Sequence, residues 1–205
     1  MNNVEPSLAD LLMLMVERLK TAQPKCVDAK TVQEWCVFTD TSYDNVNRTG
    51  GLGAVLVGAN GERAGCLSLK LDCYECCVLG SFEKDTIIYE LELLGGCVAL
   101  DLWASTLSSS YPMHYGYNDS VRFALIRGTG LGLVAENIMN LHLRNEVSYS
   151  SNVWFARVPT EANIAVIFHR GSRSTLSLTN CKTFQMMLST ALPSSSTKSQ
   201  QLNKN

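Results

Sequence analysis

The sequence carries no excess of charge of either sign. Its 205 residues contain 17 Lys and Arg against 19 Asp and Glu, which gives a net charge of −2 at pH 7 and a pI of about 5.9. Domains that bind nucleic acid tightly on their own are usually basic. The composition therefore argues against a domain that binds nucleic acid tightly on its own. It is compatible with a module that relies on a partner for its affinity.

Long apolar runs are also missing. No stretch approaches the roughly 18 apolar residues of a membrane-spanning helix, and the short apolar run at 11–16 lacks the basic start of a signal peptide. We expect an intracellular protein, cytoplasmic or nuclear, without membrane association. The eight cysteines are scattered through apolar segments without the spacing of a disulfide framework, which predicts thiols in a reducing compartment.

The chain does have enough apolar residues for a core, since 46% are hydrophobic, and its length suits one domain. An amphipathic helix is predicted over 7–22, and a Ser-, Lys- and Gln-rich tail from about 190 is predicted to be disordered. We expect an N-terminal helix and linker over 1–30, a folded domain over 31–175 and a C-terminal extension over 176–205.

Apolar periodicity and turn residues predict the elements of the folded domain. Strands are predicted over 35–41, 51–58, 63–71, 120–126 and 152–158. Helices are predicted over 86–107, 130–144 and 160–170, and irregular segments over 72–84 and 111–118. This order predicts an α/β fold with a five-stranded mixed sheet, formed by an antiparallel three-strand meander plus two parallel strands and flanked by helices.

Two acidic residues are the best candidates for a site. Asp40 ends the first predicted strand, and sites of α/β sheets lie at the carboxyl ends of strands; a turn-initiating Asp explains it equally well. Glu92 borders the apolar stripe of the 86–107 helix, where a buried charge needs a partner. Together they predict part of a site for a hard cation such as Mg²⁺.

Three segments resemble the ribonuclease H domain of retroelement (retrotransposon) reverse transcriptases. WCVFTDTSYD with GGLGAVLV resembles the first two strands, ELLGGCVALDL resembles the first long helix, and WFARVPTEANIAVIFHR resembles the end of the domain. The resemblance covers about 35–170 and implies a ribonuclease H-like fold. It also implies an ancestral activity, hydrolysis of the RNA strand of RNA–DNA hybrids by two Mg²⁺ or Mn²⁺ ions held by about four carboxylates.

The chain departs from this pattern at two of the four acids. On the resemblance, Asp40 and Glu92 are the retained half, whereas Arg127 and Val166 occupy the places of the other two. Asp44, Asp119 or Glu136 could stand in for them. We therefore expect impaired hydrolysis, in effect a pseudoenzyme, or a non-catalytic nucleic-acid or protein-binding module on the same fold.

The expected partners follow from the resemblance and from the extra N-terminal helix. RNA–DNA hybrid or another nucleic acid is expected to bind weakly, through Arg127, Arg157 and Asn163. The N-terminal helix could contact a protein partner.

Two further motifs carry weaker signals. Cys73-x-x-Cys76-Cys77 could ligate zinc, but no second cluster follows at zinc-finger spacing, so buried thiols are the better interpretation. Gly128-x-Gly130-x-Gly132 hints at a dinucleotide loop, and hence at a nucleotide-binding enzyme, but its last spacing is wrong. The histidines His114, His142 and His169 show no pattern that indicates a function.

Overall fold

A computed structural model describes residues 12–13, 16–17, 20, 35–80, 86–149 and 151–169. Its elements are β1 (Trp35–Asp44), β2 (Thr49–Gly58), β3 (Arg63–Leu71), α1 (Cys73–Leu79), α2 (Ile88–Leu102), α3 (Ala104–Leu107), β4 (Met113–Gly116), α4 (Asp119–Arg127), α5 (Leu133–Tyr149), β5 (Trp154–Arg157), a 3-10 turn (Thr160–Ala162) and α6 (Val166–His169). The described residues before 21 are helical, as predicted for 7–22. The predicted linker to residue 30, the C-terminal extension and its predicted disorder lie outside the described residues.

The five strands form one mixed sheet in the order β3-β2-β1-β4-β5. β1, β2 and β3 are antiparallel neighbours, whereas β4 pairs parallel with both β1 and β5. The predicted sheet is therefore confirmed. The turn between β2 and β3 uses Gly61 at φ 78°, a backbone conformation that glycine adopts without strain.

The predicted strand over 120–126 is wrong, because these residues form the helix α4. The side chain of Asn118 caps the helix by accepting from the amides of Ser120 and Val121, and Gly128 ends it at φ 71°. The buried residues of α4 are Val121, Ala124 and Leu125, at the spacing of a helix. The fourth strand instead lies within the predicted loop over 111–118, and it is only four residues long.

Smaller differences occur elsewhere. The segment 72–84 is not wholly irregular, since it contains the helix α1. This helix begins with a capping box, in which the carboxylates of Asp72 and Glu75 each accept a hydrogen bond from the backbone amide of the other residue. The predicted helix over 86–107 is divided at Trp103 into α2 and α3. Over 160–170, a 3-10 turn precedes α6, and the side chain of Thr160 caps no helix there.

Helix α2 packs between the sheet and α5 and carries much of the core. Ten of its residues are buried, including Leu91, Leu94 and Val98. At Gly95 an added Cβ would lie 3.2 Å from Thr41 Cγ2, so the small residue lets α2 approach β1 closely. This packing brings Glu92, one turn before Gly95, to the part of β1 that contains Asp40. Among the described helices, none has the length and apolar character needed to cross a membrane.

Candidate active site

Asp40 and Glu92 line the same small pocket, at the point where β1 continues beyond its pairing with β4. The prediction that Asp40 ends the strand is wrong, because β1 continues to Asp44 and Asp40 pairs with Gly53 of β2. The other residues of the pocket come from β1, β4, β5, α4 and the β4–α4 connection, namely Thr39, Thr41, His114, Gly116, Tyr117, Asn118, Val121, Arg122, Leu125 and Ala156. The cavity volume is about 10 Å³, roughly enough for one water molecule. The two acids that the sequence selected are therefore brought together by the fold.

The carboxyl group of Glu92 is held in an environment that opposes its ionisation. Its pKa is raised to about 7, chiefly by burial and then by the negative charge of Asp40, against a hydrogen bond from Asn118 that lowers it. A cation placed between the two carboxylates would offset both the cost of burying the charge and the repulsion between the two groups. Their roles as catalytic residues and metal ligands stay predictions, since geometry alone does not assign them.

The connection after β4 contributes neutral residues to the pocket. The resemblance expects an Asp-Asn pair at the end of the fourth strand. Tyr117, Asn118 and Asp119 follow β4, and of these three only Tyr117 and Asn118 line the pocket. Placing Arg127 there was wrong, because it depended on a strand that is in fact α4. Arg127 ends that helix with its guanidinium 5.6 Å from the ring centre of Phe123, and it is not among the pocket residues.

Asn163 is buried and joins the segment after β5 to β1. Its Nδ2 donates to the carbonyl of Thr39 at 2.8 Å, and its Oδ1 accepts from the amide of Ala165 at 3.1 Å. The side chain thus positions the residue before Asp40, and its predicted contact with nucleic acid stays a prediction. Val166 begins α6, half-buried, and is not among the residues that line the pocket.

The three acids considered as substitutes all have other contacts. Asp44 accepts from the amides of Val46 and Asn47 in the β1–β2 turn, and Glu136 accepts from the hydroxyl of Thr129. Asp119 is paired with Arg122 at 2.8 Å and with Arg157 at 3.5 Å. Within the described part of the chain, no three His, Cys, Asp or Glu side chains form a group that could hold a metal ion.

His114 lines the pocket, and no feature of the sequence pointed to it. Its Nε2 lies 3.0 Å from Thr39 Oγ1, and burial, followed by the nearby His142, lowers its pKa to about 4. It is therefore neutral at physiological pH and contacts β1 through a hydrogen bond with the residue before Asp40. His142 belongs to a separate buried pair, with Nδ1 at 3.3 Å from Asp101 Oδ1.

An exposed group of arginines and aromatic rings adjoins the pocket. The guanidinium of Arg157 lies 5.5 Å from the ring centre of Tyr117, and that of Arg122 lies 4.9 Å from the ring centre of Phe123. The two rings are 45% and 44% exposed, respectively, so about half of each surface is open to a ligand. We call this group the arginine–aromatic surface, and its five residues are Tyr117, Arg122, Phe123, Arg127 and Arg157.

Known structures share the fold of this domain, although no protein-family model matches the chain and no curated protein matches its sequence. RNase H1 from the halophilic archaeon Halobacterium salinarum NRC-1 is similar with a TM-score of 0.51 and 14% identity, over 66% of this chain and 94% of that one. LC11-RNase H1, isolated from compost, is similar with a TM-score of 0.53 and 12% identity, over 67% and 94%.

A structure of LC11-RNase H1 in complex with an RNA/DNA hybrid gives a TM-score of 0.50 at 13% identity, over 67% and 94% of the two chains. At these identities the likeness establishes the architecture. The domain accordingly has a ribonuclease H-like fold.

Proposed function

We propose that this ribonuclease H-like domain is of retroelement origin, binds RNA–DNA hybrid or another nucleic acid weakly, and is impaired in the metal-dependent hydrolysis of RNA. The observation that carries the proposal is the composition of the pocket. Asp40 and Glu92 meet there, but the β4–α4 connection contributes the neutral residues Tyr117 and Asn118 to the pocket. The acid that follows them, Asp119, is paired with Arg122 and Arg157. The retroelement origin rests on the resemblance of the segment 154–170.

The donor set fits one hydrated divalent cation better than two. Mg²⁺ commonly binds through one or two carboxylates and completes its shell with water and substrate phosphate. Asp40 and Glu92 could hold such an ion. The amide oxygen of Asn118 is already engaged in capping α4. Two-ion hydrolysis needs further carboxylates to hold the second ion and to position the attacking water. Mg²⁺ or Mn²⁺, when bound, would then neutralise phosphate charge without supporting efficient cleavage.

The arginine–aromatic surface offers the contacts that a nucleic acid needs beside this pocket. Arg157 and Arg127 can meet backbone phosphates, and the exposed rings of Tyr117 and Phe123 can contact sugars or bases. Asp119 offsets part of the positive charge through its pairs with Arg122 and Arg157. Together with the net charge of −2, this supports binding that is weak and sensitive to salt.

A restoration experiment tests the impaired site. Asn118→Asp adds a third carboxylate and retains the helix cap, because Asp accepts the same amide hydrogen bonds. Hybrid cleavage with Mg²⁺ or Mn²⁺ should be at background for the natural chain and detectable for Asn118→Asp. The double variant Asn118→Asp with Asp40→Asn should return to background. Rapid cleavage by the natural chain would contradict the proposal.

Protein binding through the N-terminal helix is a second candidate function. Leu12, Met13 and Val16 are exposed on this helix, with 51%, 71% and 44% of their surfaces open. Apolar side chains grouped on an exposed helix are typical of contact surfaces. Two results together would favour this function over the first. The chain would show no hybrid binding at low salt, and it would bind a protein partner that the variant Leu12→Ser/Met13→Ser no longer binds.

A further inference from the structure

The hydroxyl of Thr41 is a buried polar group without a partner in the described part of the chain. Thr41 follows Asp40 in β1 and is 9% exposed, and its Oγ1 makes no hydrogen bond to any described residue. A buried hydroxyl without a hydrogen bond destabilises the folded state, because it loses its contacts with water and gains none. Since such groups are rare in folded proteins, a partner for this hydroxyl is expected.

The neighbouring residues of β1 show what is unusual about Thr41. Val37, Thr39 and Thr41 alternate along the strand, and all three are buried. The hydroxyl of Thr39 is paired with Nε2 of His114 at 3.0 Å. Valine has nearly the shape of threonine and is equally suited to a buried strand. A threonine whose hydroxyl bonds nothing would therefore be less stable at this position than valine.

The pocket of Asp40 and Glu92 has the properties that an internal water needs. Its volume of about 10 Å³ is at the lower end of the roughly 10–15 Å³ that one water molecule requires, and Thr41 is among its lining residues. An internal water also needs about two to four polar partners, and the carboxyl groups of Asp40 and Glu92 adjoin the same space.

The two branches of the Thr41 side chain have different surroundings. Its methyl carbon Cγ2 faces helix α2, where a Cβ added at Gly95 would lie 3.2 Å from it. Because the methyl group packs on this helix, the hydroxyl is the branch that is available to a ligand in the pocket.

We propose that this pocket binds one ordered water molecule and that the hydroxyl of Thr41 holds it by a hydrogen bond. The water is shared with the carboxyl groups of Asp40 and Glu92, which makes Thr41 a further polar residue of the site. This binding involves neither a cation nor a nucleic acid. Its failure would therefore leave the proposed function unaffected, and the failure of the proposed function would leave the water site unaffected.

Oxygen-17 relaxation dispersion of the solvent tests the water directly, because it detects long-lived internal waters and not the protons of hydroxyl groups. The full chain is measured in EDTA and without nucleic acid. Thr41→Val, which removes the hydroxyl and keeps the shape, should lose the signal amplitude of one water. Thr41→Ser, which keeps the hydroxyl, should retain this amplitude. Thr49→Val is the matched control at an exposed position of β2 and should retain it as well.

Thermal unfolding of the same variants gives the sign of the effect. If Thr41 holds a water, Thr41→Val removes a hydrogen bond and should lower the Tm by roughly 2–5 °C. If the hydroxyl has no partner, the same substitution removes an unfavourable burial and does not lower the Tm. A Tm of Thr41→Val equal to or above that of the natural chain, or an oxygen-17 amplitude that Thr41→Val leaves unchanged, would overturn the proposal.

A high-resolution crystal structure of the natural chain decides the question if Thr41→Val does not fold. An ordered water within hydrogen-bond distance of Thr41 Oγ1, inside the pocket, would support the proposal. A well-ordered pocket without such a water would overturn it.

Discussion

Replacing Glu92 by glutamine should stabilise the domain at alkaline pH and leave its stability nearly unchanged at acid pH. The reason is the raised pKa of this carboxyl group, about 7 against an ordinary value of 4.5. Between these two values the folded domain retains a proton that the unfolded chain releases. The free energy of unfolding therefore falls as the pH rises through this window, and above about pH 7 the full cost is present.

The magnitude follows from the same difference. A rise of the pKa from 4.5 to about 7 corresponds to about 3 kcal/mol between the protonated and ionised forms. Glutamine has nearly the shape of the carboxylic acid and carries no charge, so Glu92→Gln should gain roughly 2–3 kcal/mol at pH 8 and almost nothing at pH 4. For a domain of this size that is a rise in Tm of roughly 5–10 °C at pH 8.

Urea unfolding of both proteins at pH 4 and pH 8 measures the effect. Glu161→Gln is the matched control, since Glu161 is exposed in the 3-10 turn and should change stability little at either pH. Mg²⁺ at pH 8 should stabilise the natural chain more than Glu92→Gln, because it removes the same repulsion. Equal effects of Glu92→Gln at the two pH values, or a loss of stability at pH 8, would refute the reasoning.

Three further predictions concern residues around the site. Asn163→Ala removes two buried hydrogen bonds, one of them to the carbonyl of Thr39, and should lower the free energy of unfolding by about 2–4 kcal/mol in urea; a loss below 0.5 kcal/mol would contradict this. Gly130→Ala places a Cβ against the backbone carbonyl of Ala135 and should cost about 2 kcal/mol or more, whereas a neutral effect in thermal melts would show that the loop moves freely. Arg157→Gln should weaken hybrid binding and reduce the slope of log affinity against log salt by about one; an unchanged slope in fluorescence titrations would remove Arg157 from the interface.

The antiparallel half of the sheet could be predicted from sequence because its signals are local. Asn60 and Gly61 mark a hairpin, and the strands on either side are nine or ten residues long. The fourth strand could not be predicted in the same way, since β4 has four residues and pairs only with strands distant in sequence. Such a strand is stabilised by its neighbours in the sheet, and its own residues give little indication of it.

The sequence of α4, which was predicted as a strand, carries signals for both a strand and a helix. Val121, Phe123 and Ile126 favour a strand by composition, but the capping residues Asn118 and Gly128 indicate a helix between them. Giving the caps more weight than composition would have placed α4 correctly. The third acid would then have been sought among Tyr117, Asn118 and Asp119, and Arg127 would not have been assigned to its place.

The retained acids could be predicted, but their surroundings could not. The sequence predicts that Asp40 ends a strand, although β1 continues to Asp44, and that Glu92 borders a buried helical stripe. Both predictions use local features of the sequence. The contacts of His114 and Asn163 with Thr39 join residues 75 and 124 positions apart. No periodicity or motif in one sequence reports such a pair.

The most direct test of a weak binder with an impaired site measures binding and cleavage in one sample. A labelled RNA–DNA hybrid is titrated with the full chain at low salt in Mg²⁺ or Mn²⁺, and bound fraction and RNA length are followed together. We expect salt-sensitive binding at micromolar protein and RNA that stays intact while bound. Rapid cleavage of the bound RNA that is abolished by Asp40→Asn would contradict the account.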